Sequence, residues 1–178
     1  PLVFGDHVSL PFLRGFPRVY RAFAEAGLHD DVVFIGAGRL GLANRGLTAM
    51  AMGADLVNVA REAMLAVGCI QSQRCHTGRC PTGVATQDPR LERGLDPADK
   101  SVRCAYYIAA LRQELLRLGR ACGHRHPGLV GPDQIEFLSD GHDSTDLAEV
   151  CGYRPEWFRP GTATVAALDE CWPARVPG

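Results

Sequence analysis

Apolar residues recur at three- and four-residue steps at Val19, Phe23 and Ala26 before Gly27, which predicts a helix over Pro17 to Ala26. The period then changes. Val32-Val33-Phe34-Ile35 is a short run of β-formers halted at Gly36-Ala37-Gly38, residues Arg45 to Met52 return to helical spacing before Gly53, and Asp55 to Val59 reads as a second strand. Strand, helix and strand within 28 residues make a βαβ unit, whose two strands run parallel and whose faces both need cover.

A short apolar helix is expected from Arg61 to Val67, after which Gly68 opens a loop, residues 68–95, rich in Gly, Pro, Thr, Gln and Asp. Loops this long inside compact domains are usually functional or disordered, and three thiols in this one favour function. Asp96-Pro97 supplies an N-cap and a first-turn proline, with Asp99 at the positive end of the dipole, for a long helix running to Cys122 and stopping at Gly123. Its expected buried stripe is Cys104, Ile108, Leu111, Leu115, Leu118 and Cys122, with the two cysteines acting as small hydrophobes. Beyond His126-Pro127 the pattern weakens: Pro132 to Leu138 suggests a short helix, and Gly141 to Gly178 an irregular tail wrapped on a larger body. Two parallel strands cannot form a covered sheet by themselves. The chain also opens on Pro1 rather than methionine, so it reads as the C-terminal piece of a larger α/β domain.

Composition narrows the class. Of 178 residues 46% are hydrophobic and 22% charged, a globular balance, and 19 Lys plus Arg against 20 Asp plus Glu give a net charge of -1. Nothing in that balance asks for nucleic acid or an anionic membrane, and the arginines are scattered rather than gathered. No apolar run approaches the roughly 18 to 20 residues that span a bilayer, and no leader opens the sequence, so a cytoplasmic location is expected. Seven cysteines cannot all pair with one another, and three of them, Cys69, Cys75 and Cys80, fall within twelve residues. A local cluster of that kind points to metal or redox chemistry rather than to staples.

Two places carry chemistry. The turns after the strands place Gly36 and Gly38 after the first and Ala60-Arg61 after the second, so bare amides, a helix start and a guanidinium can face a phosphate. In (β/α)8 barrels the phosphate site lies after strands seven and eight, which suits a βαβ unit near a domain's end. The plainer alternative makes the glycines mere turn formers and pairs Arg61 with Glu62. In the loop GCIQSQRCHTGRCPTG the cysteines are spaced x5 and x4, Gly78 and Gly83 permit tight bends, and Pro81 follows the last thiol, as in ferredoxin-type loops. Three thiolates can each hold one iron of a three-iron centre. A zinc site with His76 as fourth ligand competes, though His76 adjoins Cys75, and three free thiols remain the bland alternative. His7 beside Asp6 reads as a loop histidine, Cys151 and Cys171 lie too far apart to suggest a site, and Trp157-Phe158 reads as an apolar anchor for the tail.

The run GADLVNVAREAMLAVGCIQSQRCHTGRCPTGVATQDP resembles the end of the flavin-binding barrel of glutamate synthase, and the likeness extends from about Val32 to Gly123. Residues 1–31 and 124–178 resemble the shorter FMN-binding glutamate-synthase-like proteins. The resemblance implies an α/β fold, the C-terminal part of a (β/α)8 TIM barrel, with residues 1–128 as its last portion and 129–178 as an extension or tail. It implies FMN and a 3Fe-4S cluster as cofactors. It also implies a reaction in which the 2-iminoglutarate formed from 2-oxoglutarate and ammonia is reduced to L-glutamate. Carried onto this chain, Cys69, Cys75 and Cys80 match the cluster ligands, Gly36, Gly38, Ala60 and Arg61 match the FMN-phosphate segment, and Arg39 stands where the family usually has Lys or Arg near the flavin. Nothing matches the amidotransferase's catalytic cysteine or the earlier barrel strands, so the nitrogen donor, ammonia or glutamine, is left open. Implied partners are 2-oxoglutarate, that nitrogen donor, the upstream barrel half and an electron donor, a ferredoxin or an NADPH-dependent subunit. The chain alone is expected to be inactive. Two other readings stand beside this one: another FMN-dependent barrel oxidoreductase with a different acceptor, and a zinc-stabilised interaction module without catalysis.

Overall fold

Phe12, Phe16 and Tyr20 follow one another at four-residue steps, and in the computed structural model their rings stack down one face of helix α1, Phe12–Glu25, with centroids 4.9 and 6.3 Å apart. The structure describes residues 10–138, 143–158 and 162–171. The helix starts five residues before the expected Pro17, which sits inside it. The carbonyl four residues before Pro17 belongs to exposed Leu13, where water can replace the missing donor, and the aromatic stripe supplies the packing that favours the extra turn.

The βαβ unit is present, with shifted ends. Strands β1, Ile35–Ala37, and β2, Leu56–Asn58, pair in parallel with Ile35 opposite Leu56 and Ala37 opposite Asn58, and helix α2, Ala43–Ala51, connects them. Val32 and Val33 stay outside the strand because pairing begins at a side-chain clamp: the Phe34 amide donates to Asp55 Oδ2 at 2.7 Å while the Asp55 amide donates to the Phe34 carbonyl at 2.9 Å. Ile35 and Leu56 are left 62% and 55% exposed, so one face of this two-stranded sheet is bare.

After α3, Arg61–Ala66, the cysteine loop holds a 3-10 turn at Cys75–Thr77 and the short helix α4, Pro89–Glu92. The long helix α5, Pro97–Ala121, begins as expected, with Asp96 accepting the Ala98 amide at 3.0 Å. Its predicted stripe needs correction. Only Leu115 is buried; Cys104, Leu111, Leu118 and Cys122 are half-buried and Ile108 is exposed. Twenty-five helical residues reach about 37 Å, whereas α2 has nine residues, so Leu47 of α2 and Val130 cover only the stretch around Leu115.

The C-terminal third departs furthest from expectation. Instead of a helix over Pro132 to Leu138, a 3-10 turn at Pro132–Gln134 gives way to strand β3, Glu136–Leu138, which pairs antiparallel with β4, Ser144–Asp146. Gln134 ends the turn because its side chain is engaged on both sides, accepting the Gly131 amide and donating to the Cys122 carbonyl. From Ile135 to Leu138 half-buried and exposed residues alternate with the period of a strand. The segment expected as an irregular tail also holds α6, Leu147–Cys151, capped by Asp146, and α7, Thr162–Cys171. Leu147, Cys151, Tyr153 and Trp157 join Tyr20, Phe34 and the fully buried Met52 in the largest core cluster, with Phe158 packed against it. Tyr20 Oη donates to the Trp157 carbonyl at 2.6 Å and Tyr153 Oη to the Met52 carbonyl at 2.9 Å, so the expected anchoring role of Trp157 and Phe158 holds. His7 and the Cys171 side chain lie outside what the structure describes.

Candidate functional site

Parallel pairing puts the carboxyl ends of β1 and β2 at the same edge, and the turns that leave them frame an open cavity of about 680 Å3. Gly38 and Arg39 reach it from the first turn and Arg61 from the start of α3. Asn44, Arg45 and Thr48 reach it from α2, Leu10 and Pro11 from the chain entering α1, Phe12 and Leu13 from the first turn of α1, and Phe137 from β3. Three guanidinium side chains therefore border one cavity. Arg39 holds a left-handed backbone at φ 60°, a conformation uncommon outside glycine.

Of the residues expected here, Gly38, Arg39 and Arg61 line the cavity, whereas Gly36 and Ala60 do not. Gly36 is buried beneath it: a Cβ there would come within 3.1 Å of the Phe12 ring and 3.2 Å of Leu40. Gly38 has a similar constraint, since a Cβ would sit 2.7 Å from that of Phe12. Both glycines thus let α1 pass close behind the turn. Arg61 makes no ion pair with Glu62 among the described residues. Glu62 turns instead toward Gly41 and Tyr107, and its Oε2 is buried without a hydrogen-bond partner. Tyr107 Oη donates to the Gly41 carbonyl at 2.7 Å, tying α5 to the β1–α2 turn; burial, then the Glu62 carboxylate, raise its phenol above the ordinary value. Sequence reasoning missed Asn44, Arg45, Thr48 and Phe137. The first three were within reach, because Asn44, Arg45 and Thr48 share one face at the start of the helix that follows the glycine turn. Phe137 had no local signal, since only the tertiary fold carries β3 to this edge.

The chemistry at this edge suits an anionic group. Arg39, Arg45 and Arg61 supply positive charge and the Asn44 side-chain amide a neutral donor, while the Thr48 hydroxyl donates to the Asn44 main-chain carbonyl at 2.9 Å; the set fits the phosphate of a mononucleotide such as FMN.

The cysteine loop is less converged. Cys80 is buried, Cys69 half-buried and Cys75 exposed, and among the described residues no three His, Cys, Asp or Glu groups stand close enough to hold a metal ion. His76, exposed beside Cys75, is no exception. The donors around the Cys69 and Cys80 sulphurs are nonetheless those a thiolate ligand needs. The Gln71 amide donates to Cys69 Sγ at 3.4 Å, and Thr82 Oγ1 lies 3.4 Å from Cys80 Sγ. The Thr82 hydroxyl, with the amides of Thr82, Ala85 and Val84, brings the Cys80 thiol down to about 7 despite its burial. The opposite holds at Cys151, where burial alone pushes the thiol up to about 11. The donor set of the loop fits an iron-sulphur group in its chemistry.

The family model described as a conserved region in glutamate synthase matches residues 1–125. A glutamate synthase large subunit-like protein, YerD, of Bacillus subtilis is 38% identical over 135 residues, 76% of this chain and 26% of its own length. An archaeal glutamate synthase (NADPH) of Methanocaldococcus jannaschii is 37% identical over 143 residues, covering 80% of this chain and 26% of that protein. A glutamate synthase large subunit-like protein of Rhizobium meliloti is 28% identical across 91% of this chain and 40% of its own. The chain thus spans between a quarter and two fifths of the length of these relatives.

Proposed function

Because the chain belongs to the glutamate synthase family, we propose that it forms the cofactor-phosphate and cluster-ligating end of a glutamate synthase-type oxidoreductase, the C-terminal part of a (β/α)8 barrel. The reaction of the whole protein is the reductive formation of L-glutamate from 2-oxoglutarate and nitrogen from ammonia or glutamine. The observation that carries this reading is the cavity at the carboxyl ends of two parallel strands, bordered by Arg39, Arg45 and Arg61.

Each residue has a stated task. The three guanidiniums hold the FMN phosphate, the Asn44 side-chain amide donates to a remaining oxygen, and Gly38 keeps the turn thin enough for α1 to close the rear of the cavity. Cys69, Cys75 and Cys80 supply the three thiolates of a 3Fe-4S cluster. When bound, the cluster would supply one-electron exchange and FMN the conversion between single electrons and a hydride, while the residues named here provide position and electrostatics. The name of the Methanocaldococcus relative makes NADPH the candidate ultimate reductant, reaching this chain directly or through a carrier protein such as a ferredoxin.

The test is cofactor content. Anaerobically reconstituted full-length protein should carry FMN and about three irons per chain with an EPR signal when oxidised, and Cys75→Ser should abolish iron and signal while sparing flavin. Full iron retention in that variant removes the loop from the reading, and a colourless protein with stoichiometric zinc replaces it with the interaction module.

A further inference from the structure

The chain around the three loop cysteines supports them unequally. Cys80 is 5% exposed, with the Thr82 hydroxyl 3.4 Å from its sulphur. Gly83, two residues after Pro81, has φ +81°, and a Cβ there would lie 2.7 Å from the Leu91 carbonyl oxygen and 2.9 Å from the Leu95 amide nitrogen. Gly94 faces back: its Cβ would lie 3.0 Å from the Thr82 carbonyl carbon and oxygen. Segments 80–83 and 91–95 therefore meet backbone to backbone, with no space for a methyl group on either side. Helix α4, which carries Leu91, is held in turn, since Asp88 accepts the Arg90 amide at 2.8 Å and Thr86 both accepts the Asp88 amide at 3.1 Å and donates to the Gly78 carbonyl.

Neither other cysteine has such a frame. Cys75 is exposed on its 3-10 turn, and the backbone between Cys69 and Cys75 takes left-handed conformations at Gln71 and Gln73, with φ 55° and 57°. Those are unfavourable for side chains of that kind. We propose that Cys80 is the anchoring ligand of the iron-sulphur site, held by the Gly83–Gly94 backbone contact, and that Thr82 is a positioning residue whose hydroxyl sets the reduction potential of the cluster. This rests on the reading of the loop as a cluster ligand set. A hydroxyl donating to a ligand sulphur stabilises the more negative, reduced form more than the oxidised one, so its removal lowers the potential.

The experiment compares wild type, Thr82→Val and Thr82→Ser in reconstituted full-length protein, with midpoint potentials from EPR-monitored redox titration. Valine keeps the shape of threonine and removes the donor, so iron content should hold while the oxidised-to-reduced ratio at a fixed potential rises up to about tenfold, about 59 mV for a one-electron step. Serine should restore the wild-type value, which a purely structural role would not require. Gly94→Ala, which pushes Thr82 off its seat, should lose iron to a chelator at least about threefold faster than wild type. Unchanged potential in an iron-loaded Thr82→Val protein, or a shift that serine does not reverse, overturns the assignment alone. A wild-type protein that takes up no iron overturns the cluster reading and this assignment with it.

Discussion

Replacing Arg61 with alanine separates a phosphate-binding role from a folding role. Arg61 is exposed at the first position of α3 and shares its cavity with Arg39 and Arg45. A hydrogen bond to a charged group contributes about 1.5 to 3 kcal/mol, and solvent access places this one at the lower end. At about 1.4 kcal/mol per tenfold, the Kd for FMN should rise about tenfold, with about a hundredfold as the upper bound. Riboflavin has no phosphate, so its Kd should stay within about twofold if the proposed Arg61 contact is to the phosphate alone. Fluorescence quenching of both flavins by the full-length protein gives the two constants side by side. Shortening the screening length from about 10 Å to about 3 Å with salt should reduce the wild-type preference for FMN more than that of the variant. Equal weakening of FMN and riboflavin would refute the assignment and make Arg61 a residue that acts through the fold.

Two further outcomes concern the core. Burial first, then Asp30 and Asp55, push the Tyr20 phenol up to about 12, so the stability gained by keeping it neutral is whole below about pH 10 and is lost as pH climbs through about 12. That two-unit difference amounts to about 2 to 3 kcal/mol; Tyr153, raised mainly by burial, acts with the same sign, and melting temperatures that stay flat over this range would contradict it. Trp157→Ala should cost about 3 to 5 kcal/mol in denaturant unfolding, because the indole is buried against the Tyr153 ring at 6.5 Å; a loss below about 1 kcal/mol would show that residues near 157 are not part of the core.

The elements that sequence reasoning located well are those whose signals are local. Asp96-Pro97 caps α5 through the Asp96 side chain, and the runs Val32 to Ile35, Arg45 to Met52 and Asp55 to Val59 with their glycine stops place the βαβ unit within a few residues of its true ends. What escaped depends on distant partners. Pro17 as a helix start was overruled by the Phe12–Phe16–Tyr20 stack, and the stripe on α5 failed at Ile108 because burial depends on how far α2 extends. Gln134 closes its turn through contacts to Gly131 and Cys122, and this turned an expected helix into a hairpin. At the site, Gly38, Arg39 and Arg61 were legible because turns after parallel strands face one edge. Phe137, nearly a hundred residues away, was not.

The bond from Tyr20 to the Trp157 carbonyl spans 137 positions. A ribosome adding about 5 to 20 residues per second needs about 7 to 27 s to travel that distance, and for the whole interval the aromatic face of α1 and the floor formed by Met52 wait for their cover. The βαβ unit can form early from its own contacts, but its largest core cluster is completed only when Leu147, Cys151, Tyr153 and Trp157 have been added. A stop codon just before Tyr153 would leave every cavity arginine and loop cysteine encoded, yet the product would reach the cell with its core open, and its fate would be decided by chaperones and proteases before chemistry was tried.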